Sequence, residues 1–113
     1  SSTQAVGGSM SGGAAARMKG IRWERAVAQY LGTATTRSTR PGVHDDAGDV
    51  VMENGLLLEC KDHGSWRVQE WFSQIEKKAG PDERPALILK RRQMSTAYGL
   101  VVVRLGDVDL HHL

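Results

Sequence analysis

The amino-acid sequence predicts a mixed α/β domain: a central, mixed five-stranded sheet flanked by helices, in the order α-β-β-β-α-β-β. Three observations predict it. Apolar residues recur at helical spacing over 15–31 and again over 66–79. The runs at 56–58, 85–90 and 98–105 are apolar enough for buried strands. Asn54-Gly55 stands between two β-like segments, where a hairpin turn belongs. A chain of 113 residues supports one domain with a modest core.

The elements follow in order. Residues 1–16 are small and polar, and they are expected to be disordered or an expression scar, with Met10 a natural start. The folded domain is expected over 17–113. The first helix carries Ile21, Val27, Ala28 and Leu31 at helical period, with Trp23 and Tyr30 beside them and Gly32 as its C-cap. Glu24 and Arg25 are adjacent on it. Taken alone, Glu24 reads as a solvated helix residue in an ion pair. Residues 33–39 are β-branched and read as a strand, broken by Pro41-Gly42. The polar loop that follows holds His44, Asp45 and Asp46, which read as solvated or loop-capping residues.

The next segment, Asp49 to Lys61, is a hairpin, and its loop length sets its chemistry. A two-residue Asn54-Gly55 loop would pair 49 with 60 and place Asp49 beside Cys60. A three-residue loop, Glu53 to Gly55 with Gly55 in a left-handed bulge, pairs 52 with 56 and 49 with 59. Directly paired residues share a face, so Asp49 and Glu59 would then lie side by side. Lys61 follows on the same face, because strand side chains alternate. Val50, Met52, Leu56, Leu58 and Cys60 would face the core. The three-residue loop is the expectation taken forward.

Ser65 is the expected N-cap of the second helix, and Gly80-Pro81 its stop. Trp66, Trp71, Phe72 and Ile75 are expected to pack on the sheet. Gln74 is expected to face it, either in a core hydrogen bond or towards a substrate. The helix between the glutamate strand and the strand at 85–90 allows those two strands to run parallel, with a right-handed crossover. The last strand, within 98–105, is expected to be buried.

Composition narrows the function. Hydrophobic residues are 40% and charged residues 25%, with a net charge of only +2. The basic residues nevertheless cluster: Arg17, Lys19, Arg22 and Arg25; Arg37 and Arg40; Lys77 and Lys78; Lys90 to Arg92. Such patches suit a polyanion, or merely solvate the surface. Cys60 is the single cysteine, so no intrachain disulfide forms, and no Cys/His spacing suits structural zinc. There is no apolar run of the ~18 residues needed to cross a bilayer, and no signal-peptide pattern. A cytoplasmic protein with no membrane partner is expected.

An aspartate, then Glu-x-Lys closing the next strand, after a helix that bears a glutamate, resembles the PD-(D/E)xK nuclease superfamily. The matching residues are Asp49 and Glu59-Cys60-Lys61, with Glu24 as the helical acid. Within it the chain is most similar to the small Holliday junction resolvases of archaeal and phage type, through its short length, its Gly20-Ile-Arg-Trp-Glu24-Arg25 helix and its acid-hairpin-ExK core. The resemblance covers about residues 17–105. Gly48 stands where the motif often has proline.

The resemblance implies a restriction-endonuclease-like core, DNA as partner with four-way junctions as substrate, a homodimer, and Mg²⁺ as cofactor with Mn²⁺ able to substitute. It implies hydrolysis to a 5′-phosphate and a 3′-hydroxyl. Catalysis would fall to Glu24, Asp49, Glu59 and Lys61. Asp49, Glu59 and the Cys60 backbone carbonyl would bind the metal, with Glu24 direct or through water. Arg25, Arg37, Ser38, Arg40 and Gln74 would contact DNA.

Elementary chemistry is compatible with that set. Mg²⁺ takes one or two carboxylates plus phosphate oxygens and keeps several waters. It lowers the pKa of a bound water and neutralises charge on the phosphate. Three other readings stay open. Glu59 and Lys61 could be a plain ion pair on a sheet face. The enzyme could be a restriction-like or repair endonuclease on duplex or flap DNA. The chain could also be a non-catalytic DNA-binding protein.

Overall fold

The structure is a computed structural model, which describes residues 2–33 and 49–113, with side chains described for 13–33 and 50–113. The element order is α1 (Ser2–Leu31), β1 (Asp49–Val51), β2 (Leu56–Lys61), α2 (Val68–Lys78), β3 (Arg84–Leu89) and β4 (Leu100–Val102). Three single 3₁₀ turns follow β3, at 96–98, 105–107 and 110–112. The four strands form one sheet in the order β1-β2-β3-β4. β1 with β2 and β3 with β4 are antiparallel, and β2 with β3 is parallel. The chain is thus α/β with a mixed four-stranded sheet among the described residues. The fifth strand expected over 33–39 lies, from residue 34 on, outside the described residues.

The hairpin has the longer of the two loops weighed from the sequence. Asp49 is the ladder partner of Glu59, Val50 of Leu58 and Val51 of Leu57. Met52 N–H donates to the Leu56 carbonyl at 2.9 Å, which closes the ladder before the loop. Gly55 sits at φ 92°, a left-handed backbone that an L side chain rarely adopts. Three hydrogen bonds, one local and two from β3, hold this loop against the shorter one. Asn54 Oδ1 accepts from the Leu56 N–H at 3.2 Å. Arg84 donates from its backbone N–H to the Gly55 carbonyl at 2.7 Å and from Nη2 to the Asn54 carbonyl at 2.9 Å. The turn is therefore pinned by the first residue of β3.

With this register the strand faces separate. Val50, Leu58 and Cys60 on one face pack with Ala86 and Ile88 against Trp23, Val27 and Ala28 of α1, with Met52 and Leu56 at the margin. The other face places Leu87 and Leu89 under Trp71 of α2, with Val68 and Phe72 beside it. The sheet is sandwiched by one helix on each face, as expected for a sheet with two apolar faces.

Trp23 is the anchor of the first layer, although the sequence ranked it as a neighbour of the apolar stripe. It is 2% exposed, and its Nε1–H donates to the Ile88 carbonyl at 3.2 Å. Tyr30 and Leu31, placed in or beside that stripe, are exposed. The helix also begins at Ser2 rather than near residue 15.

The six-membered Trp ring sits tightly on Gly99. A Cβ there would lie 3.1 Å from Trp23 Cη2 and Cζ2, and 3.2 Å from the Leu89 carbonyl oxygen. Gly99→Ala is therefore expected to destabilise the fold by about 1–3 kcal/mol through overpacking. A thermal melt that matched the parent protein's would contradict this.

Three expectations on α2 and β4 are overturned. The helix starts at Val68 with Arg67 as N-cap, and no side chain caps it, so Ser65 does not serve. Trp71 and Ile75, four apart, form its buried stripe. Trp66 precedes the helix and is 40% exposed. β4 is not buried: Val101 is 62% exposed, because β4 is an edge strand in the sheet order.

Candidate active site

β2 is the central carrier of the candidate site. It is hydrogen-bonded on both sides, to β1 and to β3. Four of its six residues are buried. Glu59, in the middle of that run, is 5% exposed. A carboxylate taken this far from water requires compensating charge. Two lysines provide it. Lys61 Nζ lies 3.3 Å from Glu59 Oε2, and Lys78 Nζ lies 3.4 Å from Glu59 Oε1.

Lys61 comes from the same strand, two residues on, and so shares the Glu59 face. Lys78 comes from the last turn of α2, where a cation also complements the helix dipole. It continues the Trp71–Ile75 stripe by three residues, which brings it onto the sheet. That continuation was visible in the helical period, yet the sequence reading carried the stripe only as far as Ile75.

The Lys61 ammonium also lies 5.4 Å from the centroid of the Trp71 ring, a cation–π distance. His63 packs on the same ring, with centroids 4.9 Å apart and planes tilted by 45°. Burial of the imidazole, and next the Lys61 charge, hold His63 below its ordinary value of 6.5; Lys19 and Arg67 add to this and Asp62 opposes it.

The linkage has a definite sign. With its folded pKa lowered, His63 takes up fewer protons in the native than in the unfolded chain as pH falls below 6.5. Its contribution to stability is complete above that value and declines as pH falls towards the folded pKa. His63→Gln is expected to lose less thermal stability than the parent between about pH 7 and pH 5. Equal losses in the two proteins would contradict the assignment.

Asp49 opens β1 and stands directly opposite Glu59 in the ladder. Glu24 is 1% exposed, among Trp23, Val27 and Ala28 on the sheet-facing side of α1. It is not the solvated helix residue that its sequence context suggested. It belongs to the helix covering the face opposite to that of Glu59, so the two acids approach the sheet from different sides. Arg25 is exposed on α1. Gln74 is exposed on α2 and does not face the sheet. Position 74 falls off the 71–75–78 stripe, which is the physical reason. Arg37, Ser38 and Arg40, with His44, Asp45 and Asp46, lie outside the described residues.

No family model, curated protein or solved structure matches this chain.

Among the described residues no three His, Cys, Asp or Glu side chains are grouped as a metal site. The donor chemistry at the hairpin nevertheless fits a hard divalent ion. It offers two carboxylate residues as ladder partners and the backbone carbonyl of Cys60 beside them. Each Glu59 oxygen already faces one ammonium group, so an ion held there would share or displace these contacts.

Proposed function

We infer that the chain is a Mg²⁺-dependent, structure-selective DNA endonuclease with a restriction-endonuclease-like core, acting in the cytoplasm as a Holliday junction resolvase. One observation carries the reading: Asp49 and Glu59 are ladder partners, and Lys61 ends the same strand two residues later. A two-residue hairpin loop would have broken that alignment.

Asp49, Glu59 and the Cys60 carbonyl are the groups that would hold the ion. Mg²⁺, with Mn²⁺ as a substitute, supplies an acidified water and neutralises phosphate charge. Lys61 is held beside Glu59 and over Trp71, and these two contacts orient its ammonium. That cation can position a nucleophile and stabilise charge that develops on a phosphate. Glu24, buried on the helix that covers the other sheet face, is not assigned to this set. Arg25, Arg37, Ser38 and Arg40 are assigned to phosphate contact, which supplies affinity and salt dependence but reads no sequence.

A homodimer fits the substrate, since a four-way junction is two-fold symmetric and needs two cuts. The apolar side chains exposed at and beyond edge strand β4 support it: Val101 is 62% exposed and Leu105 76%. An edge strand with exposed apolar residues is a pairing surface.

A second reading has its own observation. Glu59 is nearly buried and ion-paired to Lys61 and Lys78, as in a purely structural cluster. The chain would then be a non-catalytic DNA-binding protein. Labelled four-way junction, linear duplex, flap and single strand, each incubated with Mg²⁺ or with EDTA, separate the readings. Paired symmetric nicks in the junction alone, lost in EDTA, are the expected result. Equal cutting of linear duplex would instead indicate a restriction-like or repair enzyme. Binding without any cutting would leave the structural cluster.

A further inference from the structure

A second feature adjoins Lys61. A cleft of about 640 Å³ opens at the C-terminal ends of the parallel strands β2 and β3. Crevices at the carboxyl ends of parallel strands are recurrent ligand sites. Three separate parts of the chain build its walls. α1 contributes Lys19, the β2–α2 connection contributes His63 and Trp66, and the segment after β3 contributes Lys90, Arg91 and Arg92. The Lys90 N–H donates to the Lys61 carbonyl at 3.0 Å, which ties this segment to the end of β2.

Two properties identify the ligand chemistry. Four lining residues are cationic and only one, Asp62, is anionic, so the wall is net positive. A wall of that sign attracts a polyanion. Trp66 is the second property. The other two tryptophans are 2% and 6% exposed, whereas Trp66 is 40% exposed within the cleft. A large aromatic left accessible among cations is the arrangement that stacks bases while the phosphates are held alongside. In a duplex the base faces are covered by their neighbours, so only unpaired nucleotides can use the ring.

We propose that this cleft binds single-stranded nucleic acid, with an unpaired base stacked on Trp66 and its flanking phosphates on Lys19, Lys90, Arg91 and Arg92. It rests on the reading of the chain as a junction nuclease and adds a binding feature to it: nucleotides unpaired at the junction beside the point of attack. Lys61 closes β2 immediately before Asp62 and His63, so a strand lying in the cleft leads to the candidate site.

The test uses the whole chain in EDTA, so that nothing is cut, and follows tryptophan fluorescence during titration with a short oligothymidylate. Quenching is expected. Trp66→Ala should weaken oligothymidylate binding about tenfold, and Trp66→Phe should restore most of it. Affinity for a blunt duplex of the same length should be unchanged by either substitution. Replacing Lys90, Arg91 and Arg92 together with alanine should weaken both ligands and flatten the salt dependence by about two units of log–log slope for the single strand. The proposal is overturned if Trp66→Ala binds oligothymidylate as the parent does, or if duplex quenches the fluorescence equally. Trp66-dependent binding by a chain that cuts no substrate would keep the cleft and remove the nuclease. Cleavage that ignores Trp66 would do the reverse.

Discussion

Glu59→Gln is expected to abolish junction cleavage, by about a thousandfold or more, while junction binding in EDTA is retained. The size follows from the role. The carboxylate is assigned to hold the ion, and metal activation is worth several kcal/mol of barrier, at about 1.4 kcal/mol per decade of rate. Glutamine keeps the shape and loses the charge, so the comparison isolates electrostatics. The same change has a structural consequence. Lys61 and Lys78 each lose a partner whose side chain is 7% exposed, while their own are 22% and 33% exposed. Losing a partner from a buried pair is costly, and the partial exposure of both lysines reduces this to about 1–2 kcal/mol. Urea unfolding reads that component separately. Lys78→Met serves as the counterpart, because it removes one cation from Glu59 and should lower stability without removing cleavage. If Glu59→Gln cut junctions at the parent rate, the assigned role would be wrong. If both variants lost stability and the parent itself cut nothing, the cluster would be structural.

Trp23→Ala is expected to be the most damaging substitution in the fold, at about 3–5 kcal/mol. Domains of this kind have about 5–15 kcal/mol in total, so Tm should fall by at least about 12 °C. The ring occupies the centre of the layer between α1 and the sheet, against Ala86, Ile88 and Gly99. Its Nε1–H also satisfies the Ile88 carbonyl. Trp23→Phe separates the two contributions, since it keeps most of the apolar volume and loses the donor. Its extra cost beyond the reduced ring is the loss of one buried hydrogen bond, about 0.5–1.5 kcal/mol. A Trp23→Ala variant that melted with the parent would mean that the α1 layer does not hold the sheet.

Short-range sequence placed the hairpin and its two possible registers, and Arg84 of β3 pins the one adopted. The hairpin's core-facing set, Val50, Met52, Leu56, Leu58 and Cys60, is the set that packs under α1. Alternation in a strand is a two-residue rule, and once Gly55 accepts a left-handed backbone the pairing of Asp49 with Glu59 follows. The parallel pairing of β2 with β3 was equally accessible, because an intervening helix leaves room for a crossover.

Contacts across the sequence were less legible. Whether Glu24 is solvated or buried depends on which side of α1 meets the sheet, and Trp23 decides that by filling the layer below it. Whether Trp66 packs or stays open depends on where α2 begins, and the helix starts two residues later, at Val68. Whether 100–102 is a buried or an edge strand depends on sheet order, which no local pattern encodes.

The amino-acid sequence by itself determined the α/β class and narrowed the hairpin to two registers, of which one aligns Asp49, Glu59 and Lys61, because these rest on periods of two and 3.6 residues and on one turn. Only the tertiary structure decided that Lys78 joins Lys61 on Glu59, that Trp23 anchors α1, and that Trp66 faces a cationic cleft. Each of those is a meeting of segments far apart in the chain, fixed by packing and burial rather than by local spacing.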